Sequence, residues 1–132
     1  MRSSTKPRSK GALPPQRAPS ARVQLARVAL EAALKVKAVV GAHSGPLALR
    51  ATVEGRERVA GVVVAAIGDG RYGVELHLVA ELVPLPPLGE RVRKRVERAA
   101  STVGLQDVLG PIEITFEDVV ENGTIRAPEE AA

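Results

Sequence analysis

Two alternating runs with a basic amphipathic stretch between them constrain this chain most. Tyr72-Gly-Val-Glu-Leu-His-Leu-Val-Ala-Glu-Leu-Val83 places apolar and polar residues on alternate sides, the period of a half-buried strand. Pro84-Leu-Pro-Pro87 reads as a corner. Arg91-Val-Arg-Lys-Arg-Val-Glu-Arg98 follows as a helix, stopped at Gly104-Leu105. Pro111-Ile-Glu-Ile-Thr-Phe-Glu-Asp-Val119 alternates again, with Ile112, Ile114 and Phe116 inward and Glu113, Thr115 and Glu117 outward. Such a strand–helix–strand unit needs cover on one sheet face only.

The upstream residues supply that cover. Ser20 is a candidate N-cap for a helix running to about Val40 and closed by Gly41. Its buried face would carry Ala26, Ala29, Ala33, Val36 and Val40, and its solvent face Gln24, Arg27, Glu31 and Lys35. Leu47 to Val53 reads either as a short strand or as an ordered loop, and the pattern leaves both open. Val59 to Ile67 is a β-rich run, and Asp69-Gly70 supplies a tight turn into the strand at Tyr72. The expected fold is α+β: a small α-β-β-α-β domain with a mixed or antiparallel sheet and two helices on one face. Its expected span is residues 21–120. A basic Pro/Ser-rich tail, read as disordered, would occupy residues 1–20, and a flexible C-terminal tail residues 121–132.

The 132 residues fit one domain, and a hydrophobic content of 45% allows a core. At 2% aromatic residues, that core must be built from Val, Leu, Ala and Ile. The absence of cysteine excludes disulfides and thiolate metal sites. No apolar run approaches the roughly 18 residues that span a bilayer. The N-terminus lacks the apolar stretch of a secretory signal. The expected location is therefore the cytoplasm.

The net charge of +4 is unevenly placed. Arg2, Lys6, Arg8, Lys10, Arg17 and Arg22 stand at the N-terminus with no acid among them. The other thirteen of the 19 basic residues face all 15 acids, so the body is net acidic by two. The tail is a candidate arm for anionic lipid or nucleic acid, although no aromatic residue is interleaved for base stacking.

The residues give little support to catalysis. Gly68-Asp-Gly-Arg-Tyr-Gly73 matches G-x-G-x-x-G, but a strand follows it where a dinucleotide site needs a helix. His43 and His77 are far apart in sequence. His77 shares a strand face with Glu75 and Glu81, yet positions 77 and 81 are about 13 Å apart along a strand, too far for one metal ion. It reads as a solvated histidine. No nucleophile elbow or cysteine nucleophile is present. The expectation is a non-enzyme with no cofactor, no metal and no small-molecule substrate.

Charged surfaces are the remaining candidates. The second helix would bury Leu88, Val92, Ala99 and Val103, with Val96 at the stripe's edge. Arg91, Lys94 and Arg98 lie on its outer side, and Arg93 and Arg95 flank the stripe. The outer sheet face would show Glu75, Glu81, Glu113 and Glu117. A basic helix face and an acidic sheet face could meet head to tail between copies.

The order of these parts resembles the alkaline shock protein family, the envelope stress response proteins of Gram-positive bacteria. The resemblance lies in the Ala/Val-rich first helix, Val74-Glu-Leu-His-Leu-Val-Ala-Glu-Leu82, the Leu88-x-x-x-Val92-x-x-x-Val96 helix, Gly104-Leu105 and Ile112-Glu-Ile-Thr-Phe-Glu-Asp-Val119. It covers about residues 21–119 and rests on apolar spacing. It implies a small non-catalytic α/β domain, a scaffold in envelope homeostasis or stress response. It also implies self-association and a small membrane-anchor protein as partner, which would hold the chain at the inner face of the membrane. The basic tail and the segment 44–57 depart from the family pattern. The alternative reading is a small nucleic-acid-binding protein that uses the tail and the second helix.

Overall fold

The computed structural model describes residues 20–43, 45 and 49–121. The elements run α1 (Ala21–Leu34), β1 (Val39–Ala42), β2 (Ala51–Glu54), β3 (Glu57–Ala60), β4 (Val62–Gly68), β5 (Arg71–Glu81), α2 (Leu85–Thr102) and β6 (Leu109–Val120). The fold is α+β with both helices on one face of a mixed four-stranded sheet. A separate two-stranded hairpin, β2–β3, packs against α1.

β5 is the spine. β6 runs parallel along one edge of it, from Tyr72↔Leu109 to Glu81↔Val120, with α2 as the crossover that a parallel pair requires. The other edge is shared. β4 pairs antiparallel with the first half of β5, Val62↔Leu76 to Gly68↔Arg71, and β1 with the second half, Val39↔Ala80 to Ala42↔Leu78. Asp69 and Gly70, at φ 57° and 72°, make the expected two-residue turn between β4 and β5.

The inner face carries Val62, Val64, Val74, Leu76, Leu78 and Ala80, all buried. Against it α1 sets Ala26, Ala29 and Ala33 at 0% exposure, small side chains that let the helix approach closely. Gln24, Arg27, Glu31 and Lys35 are exposed as expected. Leu88, Val92, Val96 and Ala100 of α2 fill the remaining side. Each fully buried Val or Leu contributes about 1.5–3 kcal/mol.

Three boundaries differ from the sequence expectation. First, α1 ends at Leu34 rather than near Val40. Ala38 takes φ 80°, and the β-branched pair Val39-Val40 leaves the helix for β1, where Val39 pairs with Ala80 of β5 and Val40 falls at a register irregularity. Second, the apolar stripe of α2 runs through Val96 and Ala100, while Val103 is 54% exposed at the C-cap. Third, Pro86 and Pro87 lie inside the first turn of α2, where backbone N–H groups have no helical partner. At its other end, Leu105 N–H bonds Ala100 C=O at 2.8 Å and Gly104 N–H bonds Ser101 C=O at 3.1 Å, with Gly104 at φ +80°. This paired closure is the expected stop.

The run from Val59 to Ile67 is not one strand. Gly61, at φ +86°, turns it from the hairpin into the main sheet. In the hairpin, Glu54 and Glu57 stand directly opposite each other, a repulsive pair. Arg22 reaches Glu54 at 3.3 Å and Arg27 reaches Glu57, so two cations of α1 hold the hairpin.

Candidate functional site

The open face of the sheet gathers every outer acid the sequence nominates. Glu75 and Glu113 are register partners on β5 and β6, Glu81 lies at the end of β5, and Glu117 sits where β6 bulges. Leu78 pairs with Phe116 and Val79 with Asp118, so Glu117 is the extra residue of that bulge. The bulge aims its carboxylate at His77, with Oε2 2.5 Å from Nδ1.

His77 lies on the polar face, as the alternation requires, but it is not solvated: it is 1% exposed. It occupies the joint where β4 gives way to β1. Its N–H donates to Gly61 C=O at 2.9 Å, and its C=O accepts from His43 N–H at 2.8 Å. Its Nε2 is 2.8 Å from Glu75 Oε2. The alignment is too poor for an N–H donor, and Nε2 makes no hydrogen bond among the described residues. The aligned hydrogen bond of the ring is the one between Nδ1 and Glu117. Arg50 lies 3.7 Å from Glu75 and closes the cluster.

This arrangement depresses the Glu117 pKa below its ordinary 4.5. The hydrogen bond to His77 is the largest cause, burial opposes it, and the charges of His77, Arg50 and His43 add to it. A carboxylate held below its unfolded pKa adds stability above the unfolded value and loses it as pH falls through the folded one. Glu117→Gln should therefore lower the melting temperature at neutral pH, and the gap from the parent should close on acidification below 4.5. Thermal melts of both proteins across that range check it. A constant gap would mean that the Glu117 charge carries no linked stability.

Beside this cluster lies a groove of ≈ 270 Å³. Ile67 is 54% exposed and lies across the sheet toward β6. A Cβ on Gly73 would stand 3.3 Å from it, and one on Gly110 only 2.7 Å. Two side chains missing from neighbouring strands thus make the bed for Ile67. Val63, Ala65 and Pro111 complete an apolar lining, with Glu75 and Glu113 at the rim.

On the far side of the domain, Arg91, Lys94, Arg95 and Arg98 are exposed on α2 and form no ion pair among the described residues. Arg93 differs, pairing with Glu90 at 2.8 Å and reaching Ile112 C=O at 3.4 Å.

Two nominated sets change. The acidic face is partly neutralised, since Glu75 and Glu117 are committed to His77 and Arg50, which leaves Glu81 and Glu113 as its unpaired members among the described residues. Arg22 is not part of a free arm. It lies in α1, with its guanidinium 3.1 Å from Val64 C=O on β4 and 2.5 Å from Val53 C=O on β2. Arg2, Lys6, Arg8, Lys10 and Arg17 lie outside the described residues.

Arg50 and Thr52 were missed by sequence reasoning. Both stand in the segment whose pattern fitted strand or loop, and nothing local pairs them with β4 or β5. The acid at i−2 from His77 was the one available signal for the cluster. The G-x-G-x-x-G match is the β4–β5 turn. No group of three or more metal-ligating side chains is assembled among the described residues, and no described helix is long and apolar enough to cross a membrane. Comparison with family models, curated proteins and solved structures found no match.

Proposed function

We propose that this chain is a non-enzymatic scaffold that works through protein–protein contact, in cell-envelope homeostasis or stress response. The observation that carries the reading is the opposition of two surfaces that the described residues leave uncovered. The open sheet face presents an apolar groove with Glu113 at its rim and Glu81 further along β5, and the outer side of α2 presents four cations that are unpaired among the described residues. Unlike surfaces on opposite sides of a thin domain meet head to tail, and such contacts propagate rather than close at a two-fold dimer. The resemblance to alkaline shock proteins supports the envelope setting. It also supports a small membrane-anchor protein as partner, one whose acidic segment would suit the same α2 cations.

Light scattering across a salt series tests the reading. Each exposed charge pair contributes less than about 1 kcal/mol, so several must act together and salt should disperse the assembly. Arg91→Glu with Arg98→Glu should leave a monomer, and adding Glu81→Lys with Glu113→Lys should partly restore assembly. A monomer at low salt and high concentration would defeat self-assembly. If the same α2 cations instead bind duplex DNA with a log–log salt slope near −3.6, the value for four phosphate contacts, nucleic-acid binding takes precedence.

A further inference from the structure

We propose that the groove on the open sheet face is the docking site of this chain's own N-terminal segment, with Leu13-Pro14-Pro15 on the apolar lining and Arg17 or Lys10 at the acidic rim. Three observations carry the proposal.

The first is where the segment begins. Ser20 caps α1, and Arg22, two residues further, touches the carbonyl of Val64 on the free edge of β4. Val63 and Ala65, the two neighbours of Val64, form one wall of the groove. The described chain therefore begins beside the same sheet edge. Rounding a layer about 10 Å thick takes roughly three or four residues at about 3.3 Å each, and Leu13 is seven residues from Ser20.

The second is charge. The segment carries Arg2, Lys6, Arg8, Lys10 and Arg17 and no acid. Glu113 at the rim has no ion pair among the described residues, and the cation nearest to Glu75 across the surface, Arg50, stands 3.7 Å away. An anionic occupant such as a lipid headgroup would be repelled here.

The third is the match of apolar parts. Leu13 is the one large aliphatic residue between Met1 and Ser20, and it directly precedes two prolines. Proline fixes its own φ, so seating this stretch costs less backbone entropy than seating an ordinary one. The tether supplies an effective concentration in the millimolar range, so even a weak intrinsic contact is substantially occupied.

The chain has no cysteine, so one introduced thiol gives a single labelling site. A nitroxide on Ser9→Cys, read by paramagnetic broadening of backbone amides in the full chain at monomeric dilution, tests the proposal. Ala65, Ile67, Gly73 and Glu113 should lose at least half their intensity, while Arg98 and Thr102 on α2 keep theirs. Leu13→Ser with Arg17→Glu should release the effect without touching the folded residues, and Glu113→Lys should weaken it. Broadening confined to the start of α1 would overturn the proposal. So would broadening of the groove in labelled molecules by nitroxide on unlabelled ones, since the occupant would then be a second copy.

One consequence rests on the head-to-tail reading: a docked segment shields the acidic face. The Leu13→Ser, Arg17→Glu chain should then assemble at lower concentration than the parent. If the broadening holds and assembly does not change, the head-to-tail reading fails and the docking stands.

Discussion

Replacing Thr52 with Val should cost about 2–4 kcal/mol, although the two side chains have nearly the same shape, because two buried backbone groups lose their partner at once. The Thr52 hydroxyl donates to Val62 C=O at 2.8 Å and accepts from Val64 N–H at 2.9 Å, and the residue is 1% exposed. It stands where a neighbouring strand would otherwise stand and closes the free edge of β4 with one side chain. The melting temperature should fall by roughly 10 °C or more for a domain this size. Thr52→Ser keeps the hydroxyl and should lose much less. Equal losses in the two variants would assign the residue's value to packing.

Gly61→Val should be destabilising by a comparable or larger amount, with two causes adding. At φ +86° a β-branched residue is strained by about 1–3 kcal/mol. A Cβ there would also stand 2.7 Å from Ala42 Cβ and 3.5 Å from His43 N, overpacking worth about 1–3 kcal/mol more. Gly61 cannot shift freely to relieve this. Its N–H bonds Arg50 C=O at 2.7 Å and its C=O accepts from His77 N–H, so it links hairpin to sheet. Gly55→Val is the control: its φ is also positive, at +60°, but none of the described residues would lie within 4 Å of its Cβ. Chemical denaturation of the pair should separate strain from crowding. If Gly55→Val costs as much as Gly61→Val, the joint at Gly61 is not crowded.

Both variants probe the joint between hairpin and sheet, and that joint was not legible in the sequence. Val59 to Ile67 has one composition throughout, and its split depends on Gly61 meeting Ala42 of β1 and His77 of β5. The early end of α1 has the same origin. Ala32 to Val36 continue a helical pattern, but the segment from Val39 to Ala42 gains more by pairing with the open half of the β5 edge than by another helical turn. Arg22 belonged by charge to the tail and by position to the helix, and only the carbonyls of Val53 and Val64 decide between them.

The sequence by itself determined what depends on near neighbours. The alternation on β5 and β6, the Asp69-Gly70 turn, the basic outer side of α2 and its stop at Gly104 follow from periods of two and 3.6 and from residues that tolerate positive φ. Tertiary structure decided everything that depends on which strand arrives beside another. Alternation placed His77 on the polar face, but its burial comes from a bulge on β6 that brings Glu117 over the ring and from the meeting of β4 and β1 at its backbone. The groove likewise needs Gly73 and Gly110 on adjacent strands beneath Ile67, residues 37 positions apart that only the parallel register of β5 and β6 makes neighbours. A local pattern fixes the face a side chain points to, whereas its surroundings are set by strand pairings formed across long loops, which leave no periodic mark on the chain.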